Sequence, residues 1–202
     1  MKYCFTLSIA MVLSFTTYCQ TKLPPVDQSA MDMSYYPVDY PILKIQDKIT
    51  EPLIARVIYS RPQKSGRGVF GELVEYEKVW RVGANEATEI EFFKDVIFDG
   101  KPVSKGRYTL YAIPTLNNWT VIINTETDTW GSFKYDSKKD FVRVEVPVHR
   151  LPETSEVLSI YFINTAVGFN LSVAWENTGV SIPITVSVKP LIKTPLKVNK
   201  KK

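Results

Sequence analysis

The sequence predicts an all-β fold, an antiparallel β-sandwich or flattened barrel of about 8–10 strands with one short helix. Three observations predict it. Apolar residues recur at period two from Leu53 onward, the pattern of strands buried on one face. The strand-like runs are short and separated by turn residues, with no long amphipathic helical stretch among them. Eleven Tyr, ten Phe and four Trp supply enough apolar surface to offset chain entropy in a single domain and exclude general disorder.

Taken in order, residues 1–19 read as a signal peptide. Met1-Lys2 gives the positive start, Tyr3 to Phe15 is apolar and almost uncharged, and Thr17 and Cys19 sit where small residues precede a cleavage site. The apolar run of 13 residues is too short for a bilayer, which needs about 20. The chain is therefore expected to be exported to the periplasm or secreted, with Gln20 as the mature N-terminus. A lipoprotein acylated at Cys19 is the competing reading, and the bulky Tyr18 before that cysteine speaks against it. Cleavage after Cys19 removes both cysteines, leaving neither disulfide nor thiol chemistry.

Residues 20–50 carry four prolines and little periodicity. They are expected as a linker that becomes a covering strand near Ile42–Ile45. The β domain is expected over 51–188, with strands at Leu53–Ser60, Thr88–Phe93, Arg107–Ile113, Trp119–Asn124 and Val157–Asn164. Val142, Val144 and Val146 alternate with polar or exposed positions, as do Leu171, Val173 and Trp175, and Val180 through Val188. Asp99-Gly100 between Val96–Phe98 and Lys101–Val103 marks a hairpin, because it supplies positive φ. Pro183 within a clean strand pattern points to an edge position. The short helix is expected at Gly71–Trp80, where Leu73, Tyr76 and Trp80 recur at helical spacing.

Charge divides the chain. Residues 20–188 hold 18 Lys+Arg against 21 Asp+Glu, whereas 189–202 hold six lysines and no acid. No basic folded face for nucleic acid is indicated. The tail reads as an extended, solvated terminus, since Pro190 and Pro195 resist helix.

The densest polar cluster runs through Tyr59-Ser60-Arg61-Pro62, Ser65-Gly66-Arg67-Gly68 and Val79-Trp80-Arg81-Val82-Gly83-Ala84-Asn85-Glu86-Ala87-Thr88. Here the chain resembles a bacterial family of exported proteins known as domain of unknown function 2911, from about Met31 through the last strand. The decapeptide at 79–88 is the most specific piece. Gly106–Pro114, Trp119 and Trp130-Gly131 resemble later landmarks, and Glu77 stands where many members have glycine. The resemblance implies an exported β-rich domain and no established activity, cofactor or catalytic residue.

Period two through Thr88, Ile90 and Phe92 places Glu86 at the head of the core face, with Glu89 and Glu91 opposite. A buried carboxylate needs a partner, so Arg61, Arg67 and Arg81 are expected around it, with Arg81 and Glu86 as a coupled pair. Such a lattice is either scaffold or a site, in which Arg61 and Arg81 grip an acidic group while Asn85 and Glu86 bond hydroxyls. The loop Thr125–Asp140 offers Trp130, Phe133 and Tyr135 for stacking on sugar rings or apolar ligands, or for capping the core. Binding candidates are thus Arg61, Arg67, Arg81, Asn85, Glu86, Trp130 and Tyr135.

Other chemistry lacks a pattern. His149 is the sole histidine, so no metal site is indicated. Ser65-Gly66-Arg67-Gly68 lacks the lysine and spacing of a phosphate loop, and no cofactor motif is present. The expected function is noncatalytic binding of a carbohydrate, a small acidic ligand or an envelope protein. The alternative is a carboxylate-dependent, glycosidase-like hydrolase using Glu86 or Asp136.

Overall fold

A computed structural model describes residues 23–187; the expected signal peptide and Lys-rich tail lie outside the described residues. The alternating segments form β1 (Met31–Tyr36), β2 (Ala55–Ser60), β3 (Glu89–Phe92), β4 (Val96–Phe98), β5 (Lys101–Val103), β6 (Gly106–Pro114), β7 (Asn118–Asn124), β8 (Asp140–Pro147), β9 (His149–Thr165) and β10 (Gly168–Val186). One sheet has the order β1-β2-β3-β6-β7-β8 and the other β5-β4-β10-β9. All strand pairs are antiparallel. The result is sandwich-like and not a closed barrel.

Side-chain alternation carries the core between the sheets. In β8, Val142, Val144 and Val146 are buried while Phe141, Arg143 and Glu145 face outward. Trp119, Phe92, Phe98 and Phe169 are fully buried, each contributing about 1.5–3 kcal/mol relative to exposure. Thr88, Ile90 and Phe92 are buried on one face as expected. Glu89 and Glu91 lie on the other, where Glu91 pairs with Arg56 at 2.5 Å and Glu89 with Arg107 at 3.4 Å. Asp99-Gly100 turns the β4–β5 hairpin with φ of 45° and 76°.

Three elements differ from expectation. Residues 71–80 form turns rather than a helix: Gly71 and Glu77 both take left-handed φ, 97° and 60°, which interrupts a helix twice within ten residues. The α-helix among the described residues is Tyr40–Ile45, with Pro41 at its first turn and no buried residue. The covering strand lies earlier, at β1, which pairs with β2 from Met31↔Ser60 to Tyr36↔Ala55. Pro183 belongs to β10, an interior strand of its sheet. It sits beyond Gly179, where pairing with β9 ends, so no ladder partner on that side is lost.

The two sheets meet along one edge. Ser34 Oγ donates to the Ile160 carbonyl at 2.6 Å, and Arg61 donates to the Leu158 carbonyl at 3.1 Å and to Ser159 Oγ at 3.0 Å. These bonds tie β1 and the end of β2 to β9, covering edges that would otherwise be open for pairing.

Candidate functional site

β6 is longer than its neighbour β3, and this mismatch builds the site. β3 pairs with β6 only through Glu89↔Thr109, leaving the edge of β6 from Leu110 to Pro114 unpaired by β3. Backbone groups of residues 77–88 take that edge. Leu110 N–H donates to the Thr88 carbonyl, Trp80 and Ala112 exchange bonds in both directions, and Glu77 N–H donates to the Pro114 carbonyl. Trp80 and Thr88 thus flank a loop of residues 81–87, closed by Thr88 N–H donating to the Arg81 carbonyl at 3.1 Å.

That loop is strained where its sequence is most specific. Val82 has φ 54° and Asn85 φ 57°. Asparagine tolerates this region, but a β-branched residue there is an outlier that the surroundings must enforce. Enforcement is visible: Val82 is 1% exposed and its carbonyl accepts from Thr88 Oγ1 at 2.7 Å. Gly83 fits because an added Cβ would crowd Thr88 Oγ1 at 3.3 Å.

Alternation stops at Thr88, because Ala87 beside it is buried as well, and the expected Arg81–Glu86 pair does not form. Glu86 is exposed and forms an isolated bridge with Trp130. Arg81 instead lines a cavity of about 710 Å³, together with Arg67, Trp80, Trp175, Asp27 and residues 28–30. Its Nε is buried without a hydrogen-bond partner. Among the described residues no carboxylate pairs with it, and burial alone lowers its pKa. A partly desolvated guanidinium without a counter-ion is unfavourable.

The cavity walls supply further chemistry. Trp80 and Trp175 stack with centroids 6.2 Å apart and planes at 20°, and Phe70 meets both edge-on. Arg67 donates to the Lys64 and Gln63 carbonyls, both at 2.9 Å, which folds its side chain back against its own loop. Asp27 is engaged, accepting from Ser29 N–H at 2.6 Å and from Asn85 Nδ2 at 2.8 Å. Two arginines and one carboxylate therefore line the cavity, and the carboxylate already has two donors.

The remaining expected residues go elsewhere. Arg61 pairs with Asp32 at 3.0 Å and serves the β1–β9 seam. Asn85 anchors Asp27 and hence the segment before β1. Trp130 is 62% exposed and does not line the arginine cavity. Tyr135 donates to Asp140 Oδ2 and accepts from Arg143, each at 2.6 Å. Burial and then the bond to Asp140 push its pKa up to about 12. Asp136 accepts from Lys138 N–H and caps the 3-10 turn Ser137–Lys139. Neither Glu86 nor Asp136 lines the arginine cavity. Sequence reading missed Asp27 and Trp175 as cavity residues: the first lies in the proline-rich leader, and the second carries only a strand-core signal.

A family model described as Protein of unknown function (DUF2911) matches residues 41–184. The chain belongs to that family. The matched stretch contains Arg67, Trp80, Arg81 and Trp175, whereas Asp27 and β1 of this DUF2911 member precede it. No curated protein and no solved structure matches the chain. Among the described residues, no helix is long and apolar enough to cross a membrane.

Proposed function

We propose that this DUF2911 protein is exported and binds a small organic anion, a carboxylate or phosphate on an apolar body, without transforming it. One observation carries the reading: Arg81 holds a partly desolvated, unpaired guanidinium at the wall of a cavity large enough for a small molecule. An incoming anion would supply the missing counter-charge through charge-assisted hydrogen bonds. Leu73 and Val26, exposed on the same wall, offer apolar surface to the rest of the ligand, while Trp80 and Trp175 are themselves almost fully buried. Binding is favoured over hydrolysis because the carboxylates expected for hydrolysis, Glu86 and Asp136, stand outside the cavity.

Thermal shift with phosphate, citrate, benzoate, indole acetate and adenosine monophosphate, at low and high salt, tests this. A ligand at 100 times its Kd adds about 2.7 kcal/mol, which raises the melting temperature of a domain this size by about 5–10 °C. The shift should vanish in Arg81→Met. Equal shifts in both proteins would show that the anion acts elsewhere. Export is supported by the charged start, short apolar run and small residues of 1–19. Intact-mass measurement of the processed chain should give Gln20 as first residue, and a diacylglyceryl mass on Cys19 would replace that reading with a lipoprotein.

A further inference from the structure

A second concavity, of about 560 Å³, shares no lining residue with the arginine cavity. We propose that it binds a neutral saccharide, with Trp130 and Phe133 as stacking surfaces. Both rings face water, Trp130 at 62% and Phe133 at 84% exposure. Two exposed aromatics on an ordered loop are costly to leave wet unless something covers them.

Their exposure does not come from a loose loop. Trp130 is bridged to Glu86, Ala87 N–H donates to the Thr129 carbonyl at 3.0 Å, and Gly131 N–H donates to the Asn85 carbonyl at 2.9 Å. Ser132 Oγ donates to the Val79 carbonyl at 3.0 Å. Gly131 has φ 67°, and a Cβ there would lie 2.7 Å from the Phe133 ring. The ring thus lies against the glycine backbone, and only glycine permits that contact. A loop backbone held in place before binding loses little entropy when its rings stack on a ligand.

The rest of the wall fits hydroxyls rather than a charged or purely apolar ligand. Glu126 and Asp128 are balanced by Lys134 and Lys139. Glu126 is paired with Lys139, and Asp128 with Arg107. The two acids and two lysines of the wall cancel in net charge, which leaves carboxylate and hydroxyl lone pairs as hydrogen-bond acceptors without a net charge to attract an ion. A pyranose presents an apolar C–H face to the rings and a fringe of hydroxyls to such acceptors.

The test is titration of the full chain with hexasaccharides of β-1,4-linked glucose, β-1,4-linked N-acetylglucosamine and α-1,4-linked glucose, followed by tryptophan emission and calorimetry. At least one should bind saturably. Trp130→Ala and Phe133→Ala should each weaken it about tenfold or more, a loss of about 1.4 kcal/mol. Both variants should keep the parent melting temperature, since the rings are exposed. Arg81→Met should bind the sugar unchanged, which separates this site from the anion cavity. No binding by any of the three at millimolar concentration overturns the proposal, as does binding indifferent to Trp130→Ala. Self-association that Trp130→Ala abolishes would assign the rings to a second copy of the chain and overturn it equally.

Discussion

Replacing Arg81 with methionine should make the ligand-free protein more stable while removing its anion site. Methionine keeps an unbranched apolar stem and discards the guanidinium, whose Nε is buried with no acceptor. An unsatisfied buried donor costs about 1–3 kcal/mol, more if charged. Only the Nε is buried without a partner and the residue as a whole is half-buried, so the lower half of that range applies, a gain of about 1–2 kcal/mol. At about 2–4 °C per kcal/mol for a domain of this size, the melting temperature should rise by about 2–8 °C. Urea unfolding should show a higher midpoint with unchanged slope, the sign of altered stability rather than altered compactness. A site residue that destabilises its own fold is the expected trade between stability and function. A loss of more than about 1 kcal/mol would mean that Arg81 has a stabilising partner and is scaffold. Because Glu86 is exposed, a double-mutant cycle between the two should be near additive.

Glu77→Gly should stabilise the fold by about 0.5–1 kcal/mol, because Glu77 holds φ 60° and glycine removes that strain at some entropic cost; chemical denaturation reads the sign, and a loss would contradict the turn. Asn85→Gly keeps the left-handed backbone and deletes the bond to Asp27, so limited proteolysis should cut residues 23–30 faster and anion affinity should fall with little change in melting temperature. Arg61→Met should destabilise by about 1–2 kcal/mol, since its ion pair with Asp32 is half exposed but its bonds to β9 close the seam. The Tyr135 pKa is raised from 10.0 to about 12, so protonated Tyr135 supports the fold fully below about pH 10 and loses that support as pH rises toward 12. Tyr135→Phe should be less stable at neutral pH, through the lost bond to Asp140, yet decline less steeply over that window.

Period two made the strands legible because one face of each is buried and the other wet, as Val142, Val144 and Val146 show. It failed at Glu86 because the pattern presumes extended backbone, and the strand begins only at Glu89: Ala87 and Thr88 are buried in succession, so the alternation does not reach back to Glu86. The helix expected at 71–80 failed for the same kind of reason. The spacing of Leu73, Tyr76 and Trp80 is helical, but each residue is placed by turns and by the edge of β6. Arg81 was legible as a candidate from residue type, whereas its lack of an ion pair among the described residues depends on three-dimensional packing. The distribution of Arg61 and Arg81 to different faces was not legible at all, because a guanidinium finds its partners across the sheet. Asp32 and Ser159, which hold Arg61, are 29 and 98 residues away in sequence.

An anion bound at Arg81 is reported most directly by that arginine's own side-chain resonance. In protein labelled at arginine nitrogen, with Arg81 assigned by Arg81→Met, the Nε–H signal should be resolved and should move in saturable fashion as the best anion from the thermal-shift panel is added. The Arg61 signal, already committed to Asp32 and β9, should stay still. An Arg81 signal that does not respond while the anion stabilises the protein, or a response confined to Arg61, would contradict the account.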